Sequence, residues 1–148
     1  SLFGYQKTNI PCFADDSGLF IKALNGDPGV KSARYASDKS DSDLNIDLVL
    51  KNLERETNRD AFFETYICLI INDEIHYFKG TIFGKISKER LGSAGFGYDP
   101  IFIPDGYKKS FAQMTLYEKN KISHRAIAIK KLVKFLNKKW NDIWNFWL

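Results

Sequence analysis

Ala61-Phe62-Phe63-Glu64-Thr65-Tyr66-Ile67-Cys68-Leu69-Ile70-Ile71 is a long, nearly all-apolar run dominated by β-branched and aromatic residues. Such a composition predicts a strand. Asn72-Asp73-Glu74 turns the chain, and the strand-like sequence resumes through Phe78 and Ile82, so a long β-hairpin is expected. Upstream, residues 1–8 read as the last turns of a helix. Ile10 to Ala14 reads as a short buried strand closed by Asp15-Asp16-Ser17-Gly18, and Leu19 to Leu24 as a second strand before the turn Asn25-Gly26-Asp27-Pro28-Gly29. Ser40 to Glu56 is expected to be helical, capped by Asp41 or Ser42, with Leu44, Leu48 and Leu53 on one stripe. Downstream, Thr115 and Glu118 form a candidate capping box for a short helix. Ser123 then caps a long terminal helix whose Ile129, Leu132, Val133, Leu136, Trp140, Ile143, Trp144 and Trp147 keep 3-and-4 spacing. The stripe of Trp140, Trp144 and Trp147 is expected to be buried. No repeat or low-complexity linker divides the chain. A single α/β domain over residues 1–148, with a mixed sheet built around the hairpin, is the predicted architecture.

At 148 residues and 44% hydrophobic, the chain can bury a substantial core. Cys12 and Cys68 lie far apart in strand-like sequence, which fits a reduced intracellular protein better than a disulfide scaffold. No apolar run is long enough to span a membrane, so no membrane partner is expected. The net charge of +4 is unevenly spread: residues 1–75 hold 8 Lys/Arg against 13 Asp/Glu, and residues 76–148 hold 14 against 5. One half could hold a cation and the other could meet an anionic ligand, although the charges alone favour two differently solvated surfaces. The basic half also permits nucleic-acid binding, but no zinc-knuckle spacing, aromatic RNP signature or arginine-rich arm supports it, and no nucleic-acid partner is expected.

Three stretches carry chemistry. Gly95-Phe96-Gly97-Tyr98-Asp99-Pro100 sets one aromatic between two glycines, which lets the backbone hold the Phe96 ring out of the core beside the Asp99 carboxylate. A ring face and a carboxylate together suit a flat polar heterocycle; the alternative is a loop whose ring tucks back inside. Asp15-Asp16-Ser17 offers two carboxylates and a hydroxyl at a strand end, an oxygen-only set suited to Mg²⁺ and to activating water. An Asx turn closing the strand is the competing reading. Ser123-His124-Arg125, with Lys119 and Lys121 just upstream, collects donors at a helix start for a carbonyl or phosphate oxygen; a plain Ser N-cap with exposed basic neighbours is the competing and, for the tripeptide alone, the favoured reading. The other histidine, His76, is expected on the hairpin surface. No Gly-x-Ser-x-Gly elbow supports a serine hydrolase.

Taken in order, Phe13-Ala14-Asp15-Asp16-Ser17-Gly18-Leu19, Pro28-Gly29-Val30-Lys31-Ser32-Ala33-Arg34-Tyr35, Gly95 to Phe102, and Glu118 to Arg125 resemble the inosine triphosphatase family, the house-cleaning pyrophosphatases of aberrant purine nucleoside triphosphates. The resemblance runs from about residue 1 to near Leu136. It implies a two-lobed α/β fold with a long curved mixed sheet and flanking helices. It also implies hydrolysis of ITP, dITP or XTP to the nucleoside monophosphate and pyrophosphate, with Mg²⁺ as cofactor, in a cytoplasmic homodimer. By position, Asp16 matches the catalytic acid–base and metal residue, with Asp15 supporting the metal. Ser17 matches a substrate-contacting hydroxyl. Phe96, Gly97, Tyr98 and Asp99 match the loop that stacks on the purine and reads it, and Lys119, His124 and Arg125 match the remaining base-recognition positions. The family's opening strand, its phosphate-binding turn and its first helix, which bears a metal-supporting glutamate, have no counterpart before Ser1. An N-terminal segment is therefore expected upstream, and a catalytically impaired purine-nucleotide-binding protein is the alternative. The aromatic-rich helical extension over residues 137–148 is not explained by the resemblance.

Overall fold

The computed structural model describes residues 2–146, with side chains through residue 139. The expected burial of Trp140, Trp144 and Trp147 lies outside the described residues. The hairpin forms as expected: β3 (Asp60–Ile71) and β4 (Glu74–Ile86) pair antiparallel along their whole length. Asn72 and Asp73 both adopt left-handed backbone, with φ of 52° and 62°, which matches the twist of a two-residue hairpin turn. Asparagine and aspartate tolerate that region better than other non-glycine residues, so the turn is written in the sequence.

On the other side of β3 runs β1 (Cys12–Ile21), and a five-stranded sheet results in the order β2-β1-β3-β4-β5, with β2 at Pro28–Gly29 and β5 at Phe102–Pro104. Here the structure corrects the expectation of two short strands separated by a turn. Cys12 to Ile21 is one continuous strand, and Asp15-Asp16-Ser17-Gly18 sits in its middle, in register with Ile67 to Glu64. Nor is its first half buried, since Phe13 is 61% exposed. Turn-forming composition yields to a ten-residue ladder that pairs each of these residues with β3. The polar side chains are tolerated because, among the described residues, β2 pairs only with Leu19 and Phe20 and leaves the rest of that side open. Every pairing among the described residues is antiparallel, so the parallel component of the expected mixed sheet has no member there.

Ala61, Phe63, Thr65, Ile67 and Leu69 of β3 face one way and are buried. Two cores lie end to end on this face, giving the two-lobed arrangement. The larger gathers Leu19, Ile21, Phe63, Phe102 and Phe111 with Ile46, Val49 and Leu53 of α2 (Ser42–Asn52) and its C-cap. In the smaller, Ile67 and Leu69 meet Ala128 and Leu132 of α4 (His124–Phe146). Each such side chain contributes roughly 1.5–3 kcal/mol by leaving water.

The helices form where expected but turn other faces inward. Asp41 caps α2, its Oδ1 accepting from the amides of Asp43 and Leu44. Leu44, however, is exposed, and the buried stripe is Asn45, Ile46, Val49 and Leu53. Asn45 sets that phase, because its side-chain amide donates to the carbonyls of Ser32 and Ala33 and its Oδ1 accepts from the Ala36 amide. The Thr115–Glu118 capping box opens α3 (Leu116–Ile122), and Ser123 Oγ accepts from the Ala126 amide at the start of α4. On α4 it is Ala128 and Leu132 that go down, while Ile129, Val133 and Leu136 remain exposed. The phase follows from a close approach: Gly80 of β4 lies directly beneath the His124 carbonyl and the Ala128 amide.

Any Cβ at Gly80 would overlap the His124 carbonyl, and neither backbone has a flexible end to move. Gly80→Ala is therefore expected to lower stability by about 1–3 kcal/mol through overpacking, read as a fall in thermal unfolding temperature. An unchanged unfolding temperature would mean that α4 is not seated on this glycine.

Candidate active site

A cleft of about 350 Å³ opens where the two cores part. Its walls come from the middle of β1, the segment around Ser32 and Asn45, the loop at 96–99 and the start of α4. Asp15, Asp16, Ser17, Phe96, Gly97, Tyr98, Asp99, His124 and Arg125, from three stretches far apart in sequence, all border it. Lys119 stands just behind, its ammonium 4.6 Å from the centre of the Phe96 ring.

Adjacent residues of a strand face opposite ways, so Asp15 and Asp16 diverge. Asp15 turns toward α4, where its Oδ2 accepts from Arg125 Nε at 3.0 Å. Asp16 turns the other way, and its Oδ1 accepts from the Ser17 amide at 2.9 Å. Both nonetheless border the cleft. Ser17 Oγ lies 2.6 Å from Thr65 Oγ1 on β3.

The loop at 96–99 is held from behind. Asp99 is buried, and its Oδ2 accepts both from the Phe96 amide, at 2.9 Å, and from the Lys119 ammonium. Gly95 has φ of +83°, and any side chain on it would collide with that same carboxylate oxygen, so only glycine serves there. The result is a Phe96 ring 64% exposed, with the Arg125 guanidinium 5.5 Å from its centre. Asp99 thus braces the loop and Lys119 through the oxygen that faces inward. Tyr98 is buried, and burial raises its hydroxyl pKa above the ordinary value. As a neutral donor it bonds the Ser32 carbonyl at 2.9 Å, tying this loop to the opposite wall. Ser32 Oγ in turn accepts from the Leu19 amide and donates to the Gly29 carbonyl.

His124 is 6% exposed and lies parallel to the Phe63 ring, 4.6 Å away at 11°. Burial, reinforced by the nearby charges of Arg125 and Lys119, lowers its pKa to about 4. At neutral pH the ring is uncharged, with one donor and one acceptor nitrogen. Its Nδ1 is buried and has no hydrogen-bond partner among the described residues. His76 packs its ring against Phe135 of α4 at 4.4 Å, away from this site.

Among the described residues no three or more His, Cys, Asp or Glu side chains cluster as a preformed metal cage. That is compatible with Mg²⁺, which keeps several waters and uses one or two carboxylates plus substrate phosphates. Asp16, exposed and acceptor-only, is the carboxylate that fits, whereas Asp15 is engaged by Arg125. Phe63, Ser32 and Asn45 also line the cleft, and Thr65 backs Ser17 on β3; none of these was assigned from the sequence. Ser32 falls inside one of the recognised stretches, and Asn45 interrupts an apolar helix stripe, so both left a trace. Thr65 is placed by strand register alone.

The Ham1 family profile matches residues 3–135. The chain belongs to the Ham1 family. The inosine triphosphatase resemblance of the four stretches therefore holds. A dITP/XTP pyrophosphatase of Flavobacterium psychrophilum is 51% identical over 130 residues, which cover 88% of this chain and 68% of that protein. One from Thermococcus kodakarensis is 45% identical over 131 residues, covering 88% and 68%. Among solved structures, the Ham1 protein of Staphylococcus aureus superposes with a TM-score of 0.87 at 42% identity, covering 90% of this chain and 70% of that one.

The neutral His124 has a measurable consequence. As pH falls through about 6.5 an unfolded histidine takes up a proton, while the folded ring does so only near pH 4. The folded state therefore loses stability across that window, by on the order of 3 kcal/mol in total, and is unaffected above it. Assigned NMR signals of the His124 ring are expected to stay at their neutral positions down to pH 5. Titration near 6.5 would contradict the buried, donor-surrounded setting.

Proposed function

We propose that this chain hydrolyses non-standard purine nucleoside triphosphates, dITP, XTP and ITP, to the nucleoside monophosphate and pyrophosphate. The observation that carries this is the meeting, in one cleft, of the Asp16 carboxylate and the exposed Phe96 ring, in a chain whose relatives at 40–51% identity are dITP/XTP pyrophosphatases. The base stacks on Phe96, and the triphosphate runs toward β1. Asp16 takes the proton of an attacking water, its Oδ1 held by the Ser17 amide so that the other oxygen is presented to the water. The water oxygen bonds to the α-phosphorus as the bridging α–β P–O bond breaks, and pyrophosphate leaves with the electron pair. Mg²⁺, when bound through Asp16 and the substrate phosphates, supplies charge neutralisation and acidifies water.

Selectivity follows from donors. Hypoxanthine and xanthine carry a keto oxygen at C6, where adenine carries an amino group. Arg125 offers its terminal nitrogens as donors while its Nε is spent on Asp15, so the keto group is satisfied and adenine's amine meets donors. A mismatch that leaves buried polar groups unpaired discriminates more strongly than pocket size. Asp99 and Lys119 act on the base through the loop they brace, and the neutral His124 offers Nδ1 to the same ring. This reading places the protein in the cytoplasm as a homodimer acting on free nucleotides. No described helix is long and apolar enough to cross a membrane.

Asp16→Asn in the complete gene product is expected to cut pyrophosphate release from dITP by about 10²–10⁴-fold, with the circular dichroism spectrum unchanged, because an amide neither takes the proton nor holds the metal well. Near-normal turnover would move the base elsewhere, and tight dITP binding without turnover in the unaltered protein would favour a binding role instead.

A further inference from the structure

Ser17 is half-buried at the cleft wall, next to Asp16, and its hydroxyl meets one other side chain, Thr65. The two residues are directly opposed in the β1–β3 ladder, and their oxygens are 2.6 Å apart. Geometry alone leaves the donor open. Burial decides it. Thr65 is 0% exposed, and Ser17 Oγ is the partner its hydroxyl has among the described residues. A hydroxyl has one proton to give and two lone pairs to receive with. Were Ser17 the donor, the Thr65 proton would be sealed in the sheet with no acceptor, the costly arrangement for a buried polar group. Ser17 bears no such constraint, because its other side faces the cleft. The low-energy arrangement therefore has Thr65 donating and Ser17 accepting, which turns the Ser17 proton toward the cleft.

We propose that Thr65 is a positioning residue for the reaction: it fixes Ser17 as a hydrogen-bond donor to an anionic phosphoryl oxygen of the nucleotide. The proposal rests on the triphosphatase reading above and adds a residue that never touches substrate. Its logic is preorganisation. A serine hydroxyl on its own rotates freely and is as ready to accept as to donate, so a phosphate must both choose and hold its orientation. Thr65 makes that choice in the folded protein, beforehand, and the donor is in place as negative charge shifts during phosphoryl transfer. The Ser17 amide also holds Asp16, so one residue supports the base through its backbone and the phosphate through its hydroxyl. Valine at position 65 would keep the shape of the threonine and remove the proton that does this.

The test compares Thr65→Val, Thr65→Ser, Ser17→Ala and the Ser17→Ala/Thr65→Val double variant in the complete gene product, by dITP turnover and thermal unfolding. Thr65→Val is expected to lower kcat about tenfold or more, with KM changed by less than about threefold. Thr65→Ser, which keeps the hydroxyl, restores kcat to within about twofold. In the Ser17→Ala background Thr65→Val has no further effect on kcat, since there is no longer a proton to orient. A purely structural threonine would behave otherwise: the serine variant would lose stability without recovering rate, and the valine effect would persist without Ser17. Either of those outcomes, or a wild-type kcat for Thr65→Val, overturns the proposal alone. Absence of turnover by the unaltered protein overturns the functional reading and this proposal with it.

Discussion

The ladder between β1 and β3 is the constraint on which the site depends. Its ten consecutive pairs force Asp15-Asp16-Ser17-Gly18, a sequence with every local reason to turn, into extended backbone. Extension separates the two carboxylates onto opposite faces and so gives them different work. Asp15 becomes the anchor of Arg125, while Asp16 keeps an exposed carboxylate next to Ser17. The same register brings Ser17 against Thr65 and Leu19 against Phe63, so the polar middle of β1 lies between the two cores. The cleft is the gap between them.

The opposite wall depends on a second constraint, the absence of side chains where backbones must meet. Gly80 admits the first turn of α4, and with it His124 settles on Phe63 and Arg125 reaches Asp15. Gly95 admits the Asp99 carboxylate, which then holds the loop amide and Lys119. Lys119 and Asp99 are both largely out of water, and removing either leaves the other as an uncompensated buried charge, a loss of about 3–5 kcal/mol. Burial keeps His124 neutral, and the positive charge of Arg125 and Lys119 reinforces it. Lys119 and Arg125 are each paired with a carboxylate, Asp99 and Asp15, whereas Asp16 has no cation partner among the described residues.

Much of this was legible in the sequence, and the exceptions have physical reasons. The hairpin, the Asp41 and Ser123 caps and the Thr115–Glu118 box are set by local chemistry, and all are found. The exposed Phe96 follows from its flanking glycines. The continuous β1 was not legible, because its middle has turn composition and only the partner strand holds it straight. Of the expected helix stripes only Leu53 and Leu132 are buried among the described residues, for a related reason. Both α2 and α4 have enough apolar residues for two stripes, and the choice is made by contacts distant in sequence, Asn45 with the Ser32 segment and Ala128 with Gly80. At the site, side chains inside recognisable stretches could be named, whereas Phe63 and Thr65 belong to a strand whose sequence explains itself fully as core.

The fate of one substrate pair tests the roles of Asp16 and Arg125 together. With Mg²⁺ present, in water enriched in ¹⁸O, the complete gene product is expected to convert dITP to pyrophosphate and a monophosphate that carries the label, and to leave dATP largely intact. Label in pyrophosphate, release of orthophosphate, or equal turnover of dATP would contradict the placement of Asp16 at the α-phosphorus and of Arg125 at the base.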